Sequence, residues 1–189
     1  MVKSLIVKVI KIGIPIIIVL LCLLQCSKKS KTGMQKIMEF EPKEVRLQYF
    51  KENEDSFNYF KDIIIKFDIT QISFNAGKVY CDEDEYIDIG NIPICTKNSI
   101  KDINEQEFLR YAESFKDISS IKNRTSDGNI SVQFIIENAY DLLVDYTYYH
   151  DSNEVGEDER NDILDTLYIK NVINENWATT YTDFKTHMR

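Results

Sequence analysis

Four cysteines, two histidines and 31 carboxylates are the side chains of this 189-residue chain that could bond covalently, move protons or hold a metal. Cys22 and Cys26 sit in an apolar amino-terminal run, whereas Cys81 and Cys95 are fourteen positions apart in a turn-rich stretch. The second pair could close a disulfide, contributing about 3 kcal/mol for a loop of this size. The alternative is two separate small apolar side chains. No C-x-x-C pair exists, and only His150 and His187 could join a zinc site, so no metal is expected. An EF-hand loop starting at Asp82 fails, because Ile87 and Pro93 stand where Gly and Glu are required. Asp151-x-Asn153-x-Val155-Gly156 comes closer, with Asp162 at the twelfth position, but Val155 cannot ligate and a solvated acidic loop explains the stretch as well. His150 beside Asp151 could act as a base, yet no Ser or Cys has a nucleophile context such as G-x-S-x-G. The six glycines form no phosphate loop. With so many carboxylates, any two could be nominated as an acid/base pair, which makes the nomination empty without geometry. These residues predict no catalytic set and no cofactor.

Cys26 has a different chemistry available. Lys3, Lys8 and Lys11 precede the uncharged run 12–24, and Gln25, Cys26 and the basic stretch Ser27-Lys28-Lys29-Ser30-Lys31 follow it. A basic stretch followed by 7–15 apolar residues is the layout of a secretory signal. Leu23-Leu24-Gln25-Cys26 resembles a bacterial lipobox, with Gln25 where a small residue is usual. That resemblance implies a diacylated Cys26 as the mature amino terminus, held by acyl chains at about 0.8 kcal/mol per buried methylene. As a helix, thirteen residues cover roughly 20 Å, short of a ~30 Å hydrocarbon core. An uncleaved single-span anchor needs Leu5 to Leu24, with Lys8 and Lys11 snorkelling. A buried core helix is the third reading. The first two both place the residues after about 32 outside the cytosol and next to a membrane, and Lys28, Lys29, Lys31 and Lys36 could then meet anionic headgroups.

The elements that must position any site follow from periodicity. Residues 27–42 form a basic linker closed by Pro42. From Lys43 to Phe67 the pattern is one helix, with Phe50, Phe57, Phe60, Ile64 and Phe67 at helical spacing and Asn53-Glu54-Asp55 as a point where it could split in two. Ile69 to Cys95 suggests one or two short strands and a loop, with turn signals at Asn75-Ala76-Gly77 and at Gly90, Asn91 and Pro93. Asn104 and Glu107 have capping-box spacing, so a helix is expected from there to about Lys116–Asp117. A strand is expected from Ile118 to Thr125, a hairpin at Asp127-Gly128, and two alternating strands over Ile130–Ile136 and Leu142–Tyr149. Asp151–Asp162 reads as an acidic loop, Leu167–Val172 as a strand or turn, and Trp177–Tyr181 as a last strand. Helices first and sheet later, without regular alternation, predict an α+β domain over 43–189. Two helices would pack on a mainly antiparallel meander, behind an amino-terminal membrane-targeting helix over 1–26.

Tyr146, Tyr148, Tyr149, Tyr168, Trp177 and Tyr181 are the densest aromatic group. Aromatics with polar tips are enriched at interfaces. Tyr146, Tyr148, Tyr149, Trp177 and Tyr181 are therefore a candidate interaction face, against the plainer alternative of half-buried strand tyrosines. The lipobox-like start, the helix Tyr49-Phe50-Lys51-Glu52-Asn53-Glu54-Asp55-Ser56-Phe57 and the end Asn176-Trp177-Ala178-Thr179-Thr180-Tyr181-Thr182-Asp183-Phe184 resemble small lipoproteins of low-GC Gram-positive bacteria, though Ala178 and Thr179 depart from their Trp-Tyr-rich closing strand. This implies an exported, anchored α+β domain and no activity. The 27 Ile against 4 Ala agree with an AT-rich genome.

Charge narrows the partners. Residues 1–38 hold seven Lys and no acid, which leaves 16 basic and 31 acidic groups over 39–189, a balance of −15. A nucleic-acid binder needs the opposite sign. A wholly disordered chain is excluded by 43% hydrophobic and 12% aromatic content. The sequence therefore predicts a membrane-anchored extracytoplasmic binding module without catalysis. It meets the membrane through its amino-terminal segment and an envelope protein or cationic peptide through its folded part. The alternatives are a cell-envelope hydrolase using carboxylates and a structural subunit of a membrane assembly.

Overall fold

The computed structural model describes residues 40–74, 79, 81, 84–98, 100–125, 128–139, 142–163 and 166–184. The apolar run, Cys26, Lys28, Lys29, Lys31 and Lys36, and His187 lie outside them. Among the described residues no helix is long and apolar enough to cross a membrane.

Two consecutive helices open the domain. Helix α1 spans Lys43–Glu52 and α2 spans Glu54–Phe67. Pro42 precedes α1 in the extended conformation its ring favours, and its carbonyl accepts the Arg46 amide. Asn53 does split the first helical stretch, so that the described residues hold three helices where two were expected. Its amide and its side chain both donate to the Tyr49 carbonyl, and its own carbonyl starts α2 by accepting from Ser56 and Phe57. Helix α2 stops at Asp68, which takes a left-handed conformation (φ 50°) that a short polar side chain tolerates. The folded domain begins before Lys43, because Phe40 is buried and packs edge-on against Tyr49 at 5.2 Å. The end of the stretch expected as linker thus belongs to the core.

The strands are β1 Ile69–Ser73, β2 Glu85–Ile89, β3 Ile92–Thr96, β4 Ile118–Asn123, β5 Ser131–Ala139, β6 Leu142–Tyr149, β7 Glu159–Ile163, β8 Thr166–Val172 and β9 Trp177–Phe184. They form one sheet in the order β2-β3-β1-β4-β5-β6-β9-β8-β7, and every pairing is antiparallel. The architecture is α+β. The run β4-β5-β6 is a meander, but β1 inserts between β3 and β4, and β9 inserts between β6 and β8.

Several expectations are corrected. Residues 69–96 hold three strands, because Gly90 and Asn91 both take positive φ (57° and 68°) and close the β2–β3 hairpin as a two-residue turn. Helix α3 runs Glu105–Ala112 and stops short of Lys116. The Asn104 side chain accepts the Glu107 amide at 3.1 Å, whereas the Glu107 carboxylate lies 3.6 Å from Arg110. The acidic loop ends earlier than expected, since Glu159 to Ile163 pair with β8 as an edge strand of polar residues. Charge on an edge strand blunts further pairing, so acidity there marks an edge and not a loop.

The three helices of the described residues pack on one face of the sheet. Phe57 is fully buried, with the rings of Phe50, Phe115, Phe134 and Tyr146 centred 4.9–5.0 Å away. Phe60 joins Phe108 of α3 to the same cluster at 5.3 Å. Such aromatic contacts contribute about 0.5–1.5 kcal/mol each beyond their burial.

Candidate functional site

Strand geometry decides where the candidate tyrosines go. Side chains alternate between faces, so Tyr146 and Tyr148 of β6 turn to the helices and Tyr149 turns away. Tyr146, Trp177 and Tyr181 are 0%, 4% and 2% exposed, in the core under α1 and α2. The Tyr146 hydroxyl donates to the Arg46 carbonyl at 3.0 Å, and the Arg46 guanidinium lies 5.9 Å from the centre of the Tyr181 ring. The five residues therefore do not make one interaction face. The sequence pattern showed their alternation but not that the helices cover this particular row. Tyr148 and Tyr149 alone are partly exposed, on opposite sides of the sheet.

Cys81 and Cys95 are joined by a disulfide with their Cα atoms 5.4 Å apart, which ties the loop before β2 to β3. Asp151 Oδ1 accepts from the Asn153 amide and side chain at 2.9 and 2.8 Å, and Asp162 lies in β7. Among the described residues no three His, Cys, Asp or Glu side chains converge.

Among the described residues, three clefts could take a ligand, and the smallest, about 340 Å³, lies along α1 between Phe40 and Glu52. The largest, about 670 Å³, lies between the start of α1 and the β7–β8 edge, with Arg46 among its lining residues. Arg46 is fully buried. Its Nη1 donates to the carbonyls of Phe40 (2.5 Å) and Glu41, and its Nη2 donates to Asn171 Oδ1 at 2.5 Å. Burial pulls its pKa down, against the fields of Tyr146, Tyr181, Glu41 and Glu44. Lys43 donates to Asp158 at 2.6 Å, and Asp158 also accepts from the Val172 amide and the Asn171 side chain. The Lys43 hydrogen bond is the main reason the Asp158 carboxyl sits below the usual range. Arg46, Asn171, Asp158 and Lys43 thus form one run of hydrogen bonds that clasps the chain's entry into the domain, while the buried Arg46 Nε has no hydrogen-bond partner among the described residues.

The second cleft, about 470 Å³, lies between the amino-terminal half of α2 and the β8–β9 turn. Phe57, Phe60, Ile63 and Ile64 fix the buried face of α2. Glu54, Asn58 and Lys61, four and three residues apart, consequently share a neighbouring stripe. Opposite them, Asn174 Oδ1 accepts the amides of Asn176 (3.0 Å) and Trp177 (3.1 Å), which shapes the turn that carries Glu175. Tyr148 and Trp177 supply the aromatic wall, their rings 5.3 Å apart. Lys61 reaches over the Tyr148 ring at 5.0 Å and pairs with Asp62 at 3.0 Å. Among the described residues, the side chains of Glu54, Asn58 and Glu175 have no hydrogen-bonding or ionic partner. Sequence reasoning missed this cleft, although the i, i+4, i+7 spacing of its helical wall was visible.

On the helix-free face, Asp145 is 4% exposed and accepts from Thr180 (2.7 Å), Gln133 (3.1 Å) and Thr147 (3.1 Å). Burial raises its pKa, and these hydrogen bonds oppose the rise. Every donor is neutral, so the group is a structural anchor of three strands. Comparison with family models, with curated proteins and with solved structures returns no match to this chain.

Proposed function

We propose that this chain is a membrane-anchored extracytoplasmic binding module that does no catalysis of its own. The location half of the reading is supported by the basic–apolar start ending in Cys26, and by a Cys81–Cys95 disulfide, a bond that persists in oxidising compartments. The binding half is carried by one observation, the cleft in which Glu54, Asn58 and Glu175 stand unengaged beside Tyr148. Polar groups that fold into a cleft without partners have their hydrogen bonds to give to a ligand. An anchor of acyl chains on Cys26, or an uncleaved span from Leu5 to Leu24, would hold that cleft near the membrane.

Metabolic labelling with a fatty acid tests the anchor. The expected result is incorporation into the wild-type chain and none into Cys26→Ala. Incorporation into both, or into neither, removes the lipid anchor. Protease added to intact cells then checks the second part, since degradation of the acidic domain is expected from outside and its survival would refute an extracytoplasmic location.

A further inference from the structure

We infer that the cleft between the start of α1 and the β7–β8 edge binds a carboxylate through the buried Arg46 Nε, the carboxylate being that of a free small acid or of the carboxyl end of a short peptide. This goes beyond the binding reading above, whose cleft shares no lining residue with this one. Two independent observations support it. Arg46 lines the 670 Å³ cleft and is fully buried, yet its Nε has no hydrogen-bond partner among the described residues. A buried N–H left open has lost its bond to water, so an acceptor from outside the chain satisfies it without breaking anything inside. The second observation is charge. A guanidinium is rarely buried unless an acid pairs with it. The three acceptors that hold Arg46 are neutral, two carbonyls and an amide oxygen, and among the described residues no carboxylate forms an ion pair with it. A water molecule could accept from Nε but would leave the charge unpaired, whereas an anion answers both.

Geometry and charge select a carboxylate among anions. Nε–H and one Nη2–H leave the same edge of the planar guanidinium, the edge that matches a carboxylate. Nη2 faces Asn171, itself a lining residue, which sets that edge on the cleft side. Lys43, Arg46 and Arg160 line the cleft against Glu41, Asp158 and Glu159, so its charges cancel. A single negative charge on Arg46 is therefore tolerated, while a phosphate dianion meets repulsion from three acids. Entry runs past the Lys43–Asp158 pair, which joins the two walls with its side chains 42% and 48% exposed. An exposed pair of this kind contributes little, so it is a latch that opens readily.

The test follows the arginine Nε–H signals of the full chain by NMR, in non-ionic detergent, as tri-alanine is added. The chain has five arginines. Arg110, Arg124 and Arg160 are exposed and exchange their protons with water, so a slowly exchanging Nε–H that persists in Arg189→Lys belongs to Arg46. That signal is expected to shift with tri-alanine and saturate. Tri-alanine amide, which lacks the carboxylate, is expected to bind at least about tenfold more weakly. The same shift with acetate at equal concentration assigns the site to free small acids, and a shift with tri-alanine alone assigns it to peptide ends. Asp158→Asn removes the latch but keeps an acceptor for the Val172 amide, and is expected to tighten tri-alanine about threefold. Unchanged affinity in that variant would overturn the latch. An Arg46 signal unmoved by excess tri-alanine and acetate would overturn the inference, as would equal binding of the amide or tighter binding of inorganic phosphate. None of these results bears on the labelling or protease outcomes, so the two readings fall separately.

Discussion

Reducing the Cys81–Cys95 bond acts on the unfolded chain more than on the folded one. Cys95 is 2% exposed, and as a free thiol it would still fill its place in β3 as a small apolar group. Pairing of β3 with β1 and β2 does not depend on the bond. What the bond removes is freedom of the unfolded chain over the fourteen-residue separation, and chain entropy puts that near 3 kcal/mol. A domain of about 150 residues unfolds with an m-value on the order of 2 kcal/mol per molar urea. The expected drop in midpoint is therefore about 1.5 M, with m unchanged. The assay is urea unfolding of the full chain in detergent, comparing wild type with Cys81→Ala plus Cys95→Ala. The double variant prevents exchange with Cys22 and Cys26. Peptide mapping without reductant first establishes the pairing. Coincident midpoints for the bonded wild type and the variant would refute the loop-entropy argument. Mapping that finds both thiols free would refute the bond itself.

Two other perturbations test the fold around it. A Cβ on Gly90 would stand 2.5 Å from Leu109 Cδ2 at a φ of +57°, so Gly90→Ala should lower stability by about 1–3 kcal/mol, and an unchanged urea midpoint would refute that packing. Asp145 has a folded pKa raised above its usual 3.8 by burial, so its protonated form favours the fold; stability is fully present below that value and falls as pH rises through the folded one. Asp145→Asn should lose this fall, and a difference between wild type and variant that stays constant from about pH 3 to about pH 7 would refute the sign.

How far the sequence could be read differs by level. The helical stripe from Phe50 to Phe67, the break at Asn53 and the alternation of β5 and β6 were all visible, because each follows from local periodicity. The strand order was not visible. Nothing in the composition of β9 says that it inserts between β6 and β8, since that pairing is settled by burial of the whole Trp177–Phe184 segment against its neighbours. The same gap misplaced the tyrosines. Alternation says that Tyr146 and Tyr148 share a face, but only the packing of α1 and α2 makes that face the interior. The cleft escaped for a related reason. Glu54, Asn58 and Lys61 read as an ordinary solvated helix stripe, and Glu175 as an ordinary turn residue, until the chain brings them to the same cavity.

The two larger clefts differ in how far their polar side chains are already engaged by the fold. To take a ligand through its Nη atoms, the Arg46 guanidinium would have to give up three acceptors, two of them carbonyls of the segment that enters the domain, whereas its buried Nε has no partner among the described residues to lose. Hydrogen bonds from a charged group contribute about 1.5–3 kcal/mol each, and a carbonyl stranded in the interior costs about 1–3 kcal/mol more. A ligand bound through the Nη atoms would have to return all of this before it gained anything, and in doing so it would loosen Phe40 from the core. Asp158 stands in the same position, holding Lys43, Asn171 and the Val172 amide together. Glu54 and Glu175 have no such debts. They are solvated and exposed, so a ligand that meets them displaces only water. The side chains that hold the fold are those whose partners are already inside it, and the side chains free to recognise something else are those whose partners are missing.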